Sequence, residues 1–149
     1  MKIQTFGKII RILIPSIILI SILFFLINQE STQPSTKYYQ GKITKIIDAD
    51  TLEIDNKTIR LALVDAPEYN QESYEKAKQF TQSICPISST AIIDVDQEQP
   101  TDKFNRTIAV VYCNNTNLNA ELLINNHAFI DKRYCNISEF KNEEWAKGC

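Results

Sequence analysis

Acidic residues and arginines concentrate in a few short segments of this 149-residue chain. Asp48-Ala49-Asp50-Thr51 is followed by Arg60 and then by Asp65-Ala66-Pro67-Glu68, and Thr101–Arg106 adds a second arginine. Carboxylates can hold a hard cation, and arginines can bind a phosphate through paired hydrogen bonds. Together these groups are what hydrolysis of a phosphodiester requires.

The residues around these segments predict a small β-rich domain. Alternating apolar residues bounded by turn formers predict strands over Tyr39–Ile47, Thr51–Asp55, Thr58–Val64, Ala91–Val95 and Thr107–Tyr112. Apolar residues at helical spacing and capping residues predict helices over Glu72–Cys85, Leu118–Asn126 and Glu139–Lys147. This order predicts an α+β, mainly β fold: a five-stranded Greek-key barrel of the oligonucleotide/oligosaccharide-binding (OB) type with about three helices.

The first 28 residues differ from the rest of the chain. Ile12–Ile27 carries no charge, and all the basic residues of this segment precede that run. The pattern predicts a helix that anchors the chain in a membrane, with the N-terminus inside and the remainder outside. A signal sequence that is cleaved after export is the alternative. Residues 29–37 would then form a tether, and residues 38–149 the folded domain.

The four cysteines fit an exported domain. They are Cys85, Cys113, Cys135 and Cys149, and none forms a Cys-x-x-Cys pair. Outside the cytosol, four cysteines suggest two disulfides, with three possible connectivities. We favour Cys85–Cys113 with Cys135–Cys149; four buried free thiols are the alternative.

The net charge of the exported part is negative. Of 16 Lys and Arg residues, three lie in residues 1–27, which leaves 13 basic against 18 acidic residues, a formal charge of −5. A protein that grips nucleic acid through its backbone is normally basic. Affinity for a polyanion must therefore come from local placement of Arg and Lys and from a bound cation, and we expect it to be weak and salt-sensitive.

Residues of about 38–147 resemble the staphylococcal nuclease, or thermonuclease, family. The family motif Asp-Gly-Asp-Thr corresponds to Asp48–Thr51, Arg-Leu-x-x-Val-Asp-x-Pro-Glu to Arg60–Glu68, and Thr-Asp-Lys-Tyr-Gly-Arg to Thr101–Arg106. A later Asn-x-x-Leu helix is matched by Asn119–Leu122. The motifs occur in order at matching separations.

The resemblance implies a calcium site and a general base. The side chains of Asp50 and Asp65 would bind Ca²⁺, with the main-chain carbonyl of Ala66 and waters completing the shell. Ca²⁺ accepts six to eight oxygens in irregular geometry, which suits such a site. Glu68 would activate or orient the attacking water.

The resemblance also implies residues that contact the substrate. Arg60 and Arg106 would hold the scissile phosphate and stabilise the charge that builds on it in the transition state. Lys103, Phe104 and Tyr134 are candidates for further substrate contacts.

Three positions depart from the family motifs. Phe104 replaces a tyrosine, which removes one hydroxyl near the phosphate, while Ala49 and Asn105 replace glycines. Where such a position needs positive φ, asparagine tolerates it and alanine does so less well.

By resemblance, the function is that of a Ca²⁺-dependent phosphodiesterase outside the cytoplasm. It would hydrolyse DNA, RNA or both at the 5′ P–O bond and leave 3′-phosphates. The alternative is a catalytically weak or inactive OB-fold module that binds nucleic acid or protein at the cell surface. We expect a monomer that contacts nucleic acid and, through its N-terminal helix, the membrane; no feature predicts a protein partner.

Overall fold

The computed structural model describes residues 37–149. The predicted anchor or signal sequence over residues 1–28, and the tether apart from Lys37, lie outside the described residues. Within residues 37–149, no helix has the length and apolar character needed to cross a membrane.

The described part of the chain contains eight strands and two α-helices. The strands are β1 (Tyr38–Asp48), β2 (Thr51–Ile54), β3 (Lys57–Leu61), β4 (Val64–Asp65), β5 (Thr90–Val95), β6 (Thr107–Cys113), β7 (Thr116–Asn117) and β8 (Phe129–Ile130). The α-helices are α1 (Tyr74–Ile84) and α2 (Leu118–Ile124). Short 3₁₀-helices follow at Lys132–Tyr134, Glu139–Asn142 and Glu144–Ala146.

Five of the strands close into a barrel, which confirms the predicted OB-type architecture. β1 pairs antiparallel with β2 and β5, β2 with β3, and β5 with β6. A parallel pairing of β3 with β6 joins the two ends of this sheet. Closure removes the exposed sheet edges, and the inward side chains form one apolar core that includes Leu52, Ile59, Ile93 and Val111.

A two-residue turn joins β2 to β3. Ile54 pairs with Lys57, so that only Asp55 and Asn56 lie between the strands, and their φ angles are +46° and +63°. Such a two-residue turn with two positive φ values matches the twist of antiparallel strands. It fixes the register in which Arg60 of β3 stands opposite Thr51 of β2.

The third strand is shorter than predicted, and its early end shapes the site. The prediction of one strand over Thr58–Val64 was wrong, because β3 ends at Leu61 and Leu63 has a φ of +59°. The chain therefore leaves the barrel before Val64, and β4 pairs with β8 instead. This separate two-stranded sheet carries Asp65.

The prediction of a third helix over Glu139–Lys147 was also wrong. Ser138 does cap the segment, since its side chain accepts a hydrogen bond from the amide of Phe140. Glu143, however, takes an extended conformation with ψ of 147° and divides the segment into two 3₁₀-helices. Phe140 and Trp145 still pack together, with ring centroids 6.3 Å apart.

The helices and disulfides brace the barrel from outside. Asn117 caps α2 by accepting a hydrogen bond from the amide of Ala120. The structure contains the two disulfides that we favoured from the sequence. Cys85–Cys113 joins the end of α1 to the end of β6, and Cys135–Cys149 holds the last residue of the chain against the segment after β8.

Candidate active site

One cleft of about 340 Å³ contains every residue to which the sequence assigned a catalytic, metal-binding or substrate-binding role. Its walls are the turn after β1, the end of β3, the turn after β4, the loop before β6 and the turn after β8. The assigned residues that line it are Asp50, Arg60, Asp65, Ala66, Glu68, Lys103, Phe104, Arg106 and Tyr134.

The turn that carries Asp50 is held rigidly. The Asp50 side chain is almost fully buried, and its Oδ2 accepts a 2.7 Å hydrogen bond from the amide of Ala66. Thr51 donates its hydroxyl to the other oxygen at 3.0 Å. Ala49 is buried and does not adopt positive φ, so the replacement of the family's glycine causes no strain here. This buried carboxylate is thereby tied to the turn that carries Asp65 and Glu68.

Arg60 joins the two predicted metal ligands. One of its terminal nitrogens forms an ion pair with Asp50 Oδ1, and the other lies 3.3 Å from Asp65 Oδ1. The guanidinium is largely buried, whereas the Asp65 side chain is half exposed. A carboxylate from the turn after β1 and a carboxylate from β4 therefore converge on one small volume next to an arginine.

This donor set fits a weak hard-cation site. Asp50 and Asp65 face a common point, since a single guanidinium contacts both, and the Ala66 carbonyl belongs to the same turn. Within residues 37–149, no group of three or more His, Cys, Asp or Glu side chains is arranged to hold a metal ion. Ca²⁺ bound here would thus have few protein ligands and several waters, the kind of site that gives low affinity.

Glu68 is the acid with the fewest restraints in the cleft. It lies just beyond Pro67 on the exposed turn, which a hydrogen bond from the Glu68 amide to the Gln71 side chain stabilises at 3.0 Å. Its carboxylate has no hydrogen bond or ion pair with the part of the chain that the structure describes. A carboxylate free of protein partners and open to solvent can accept a proton from water.

Arg106 is positioned by Asp102, an acid with a buried side chain for which the motifs predicted no role. Asp102 accepts from Arg106 Nε at 2.7 Å and lies 2.6 Å from its Nη2, and it also accepts the amide protons of Phe104 and Arg106. Burial raises the pKa of Asp102, but these hydrogen bonds outweigh it, so that the pKa is lowered. Asn105 completes this loop at a φ of +60°, as its replacement of glycine suggested.

Two aromatic residues flank the cleft, each beside cations. Phe104 is 67% exposed, and both Lys103 Nζ and the Arg106 guanidinium lie over its ring, at 5.0 and 5.4 Å from the centroid. The Arg133 guanidinium lies 5.6 Å from the ring centroid of Tyr134. The Phe104 ring is exposed and the Tyr134 ring is partly buried. Exposed ring faces next to cations are surfaces on which nucleic-acid bases stack.

Asp131 and Arg133, for which the motifs predicted no role, also line the cleft. Asp131 is nearly buried and accepts from Arg133 Nε and Nη2 at 2.7 Å each. Burial raises the pKa of Asp131, yet the hydrogen bonds from Arg133 lower it overall. The charged run Asp131–Arg133, directly after an apolar stretch and before Tyr134, was the available signal.

The cleft as a whole is acidic. It is lined by four cationic side chains and by six carboxylates, Asp48, Asp50, Asp65, Glu68, Asp102 and Asp131, for a formal charge of −2. The protein side chains alone therefore do not favour a phosphodiester in this cleft. A divalent cation at Asp50 and Asp65 would bring the formal charge to neutrality.

Comparison with known proteins identifies the family. Residues 58–147 match the family described as Staphylococcal nuclease homologue, a match that covers more than half of the chain. The chain belongs to this family.

Named relatives are found in bacteria and archaea. An uncharacterized endonuclease of Haemophilus influenzae is 31% identical over 129 residues, which cover 83% of this chain and 66% of that protein. An uncharacterized protein of Methanocaldococcus jannaschii is 30% identical over 147 residues, 78% of this chain and 69% of that protein. A micrococcal nuclease of Shigella flexneri is 29% identical over 83 residues, 53% of this chain and 45% of that protein. The chain thus spans about two thirds of the first two relatives and less than half of the third.

Proposed function

We propose that this protein is a nuclease that hydrolyses phosphodiesters of DNA, RNA or both with the help of Ca²⁺. The observation that carries the proposal is the convergence of Asp50 and Asp65 on Arg60, in one cleft with Glu68 and Arg106. Membership of the staphylococcal nuclease family and the names of two relatives support it.

The arginines and Glu68 have complementary roles in this proposal. Arg60 and Arg106 donate hydrogen bonds to the non-bridging oxygens of the scissile phosphate, where charge increases as the nucleophile attacks. Each arginine forms an ion pair with a carboxylate in the structure. The substrate phosphate accepts hydrogen bonds from the N–H groups that remain available on each guanidinium. Glu68 takes the proton of the attacking water, and no covalent intermediate with the protein is needed.

The charge of the cleft supports the requirement for a cation. Asp50 and Asp65 would hold Ca²⁺ together with the Ala66 carbonyl, and the ion would neutralise phosphate charge during the attack. A cleft with a formal charge of −2 disfavours a polyanion until that charge is offset. Cleavage at the 5′ P–O bond, leaving 3′-phosphates, is part of the proposal through the family resemblance alone.

The disulfides support a location outside the cytoplasm. All four cysteines of the chain are paired, and disulfides persist in oxidising compartments. We therefore propose that the domain acts outside the cytoplasm, either anchored by the N-terminal segment with the N-terminus inside or released after cleavage of a signal sequence.

The test is cleavage of single-stranded DNA by the full chain, purified under oxidising conditions, with Ca²⁺ and with a chelator. Glu68→Gln and Arg106→Ala should each lower kcat by about a hundredfold or more, since each removes a group that acts in the transition state. Glu98→Gln is the matched control, because Glu98 is exposed and does not line the cleft. Circular dichroism establishes that each variant is folded.

Calcium binding is measured separately from cleavage. Ca²⁺ should raise the melting temperature of the wild-type chain, because a ligand that binds only the folded state stabilises it, and Asp65→Asn should abolish this rise. A folded wild-type chain that binds DNA but does not cleave it at any Ca²⁺ concentration would contradict the proposal. It would favour the alternative, an OB-fold module that binds nucleic acid.

A further inference from the structure

A second guanidinium stands beside Asp65, and the proposed reaction gives it no role. β4 pairs with β8 so that Asp65 lies opposite Phe129, and the amide of Asp131 donates to the carbonyl of Leu63 at 3.0 Å. These contacts fix the turn after β8 against the turn that carries Asp65. Arg133, on that turn, lines the cleft.

Asp131 holds Arg133 in one orientation. The Asp131 side chain is 5% exposed. It accepts hydrogen bonds from Nε and Nη2 of Arg133, each at 2.7 Å, and from the Arg133 amide at 3.2 Å. The Arg133 side chain is nevertheless 68% exposed, and its Nη1 has no hydrogen bond or ion pair to residues 37–149. A guanidinium fixed from one side loses little conformational freedom when a ligand binds its other side.

Arg133 also lies within one nucleotide step of Arg60. Nη2 of Arg133 is 3.5 Å from Asp65 Oδ1, and Nη2 of Arg60 is 3.3 Å from the same oxygen. The two nitrogens are therefore no further apart than the sum of these distances. A stacked strand presents a phosphate at roughly every 3.4 Å of rise, and an extended strand spaces them more widely. When Arg60 contacts one phosphate, Arg133 is placed to contact its neighbour.

A purely structural role accounts for only part of this geometry. Balancing the buried charge of Asp131 requires the Nε and Nη2 contacts, but it does not require that the guanidinium line the cleft with Nη1 unpaired. An ion pair whose cation is two-thirds exposed adds little to stability. In a cleft with a formal charge of −2, an arginine with an available donor is a group that can attract phosphate.

We propose that Arg133 binds the phosphate adjacent to the scissile one, so that the cleft selects strands with at least two consecutive phosphates over a single phosphodiester. This inference rests on the proposed nuclease function, because it takes the phosphate at Arg60 as the scissile one. It assigns the turn after β8 to substrate selection and leaves the chemistry to the residues already described.

The experiment compares two probes, a thymidine dinucleotide with one phosphodiester and a thymidine trinucleotide with two. Calorimetry with Ca²⁺ gives the dissociation constants for the full chain carrying Glu68→Gln, which slows turnover. The second phosphate should increase affinity, and Arg133→Gln should reduce the ratio of the two constants by about tenfold, the value of one hydrogen bond to a charged group. For a longer oligonucleotide, the plot of log affinity against log salt has a negative slope, and Arg133→Gln should reduce the magnitude of that slope by about 0.7.

Lys132→Gln is the matched control, because Lys132 is an exposed neighbour of the same charge and does not line the cleft. The control should leave the affinity ratio unchanged. An Arg133→Gln variant that keeps the wild-type ratio overturns the inference, as does an equal loss in Lys132→Gln. If the chain with native Glu68 cleaves no DNA while the ratio still falls in Arg133→Gln, the nuclease proposal fails and the phosphate contact stands. If neither probe binds, both proposals fail.

Discussion

The hydroxyl of Thr81, inside α1, donates a 2.7 Å hydrogen bond to the main-chain carbonyl of Ala49 in the turn that precedes Asp50. Both residues are fully buried. Tyr74, on the same helix, donates its hydroxyl to Asp48 at 2.8 Å. The helix outside the barrel therefore fixes the turn that presents a predicted metal ligand to the cleft.

Thr81→Val should lower the stability of the fold and weaken Ca²⁺ binding, although Thr81 does not line the cleft. It keeps the volume of the side chain but leaves the buried carbonyl of Ala49 without its donor, at a cost of about 1–3 kcal/mol in the free energy of unfolding. Because the Asp50 turn is loosened, Ca²⁺ should also raise the melting temperature less. Urea unfolding and thermal melts measure the two effects. Thr81→Ser retains the hydroxyl and should keep the calcium response; equal loss in both variants would show that the hydrogen bond is not responsible.

The residues that the motifs assigned share one cleft because they lie in short, local units. Asp50 lies in the two-residue turn between β1 and β2, and the Asp55–Asn56 turn sets the β2–β3 register that places Arg60 beside it. The charged run Asp131–Arg133 marks Arg133 in the sequence but does not place it beside Asp65, because that contact depends on the β4–β8 pair. Strands of two residues have no periodic pattern, and the positive φ of Leu63 that starts β4 falls on a residue that rarely adopts it.

The prediction of a third helix was wrong for a different reason. The apolar spacing of Phe140 and Trp145 is compatible with a helix, and both residues do pack as anchors. The segment is short, however, and its path is set by packing onto Ala62 and Leu63 in the turn after β3 and onto Ile108 of β6. Tertiary contacts of this kind override a weak local preference.

Arg60→Lys tests the need for a forked donor. Arg60 reaches Asp50 with one terminal nitrogen and Asp65 with the other, which a single ammonium group does not reproduce. The positive charge remains, so the buried Asp50 is not left without a cation and the fold should persist. We expect kcat for DNA cleavage to fall by about a hundredfold or more. Single-turnover kinetics with Ca²⁺ measure the change, and a loss below threefold would show that charge alone is sufficient.

The Asp102–Arg106 pair should make stability depend on acidity. Asp102 has a lowered pKa in the folded protein, so the folded state holds its proton less tightly than the unfolded state does. The stabilisation is present above the ordinary pKa of 3.8 and is lost as the pH falls below it, towards the pKa of the folded state. Urea midpoints between pH 5 and pH 2.5 should therefore decrease less steeply in Asp102→Asn than in the wild type. Parallel curves for the two proteins would contradict this.

The two disulfides should differ in their response to reductant. Cys85 and Cys113 are buried, whereas Cys149 is exposed and Cys135 partly so. Mild dithiothreitol should therefore open Cys135–Cys149 first, because thiolate attack requires access to the sulfur. In the chain-entropy model, losing that bond, with its sequence separation of 14, costs roughly 3 kcal/mol in the free energy of unfolding. Alkylation and mass spectrometry identify the first thiols released, and urea unfolding of Cys135→Ser/Cys149→Ser gives the cost. Labelling of Cys85 before Cys149 would show that local opening, and not exposure in the folded state, controls the order.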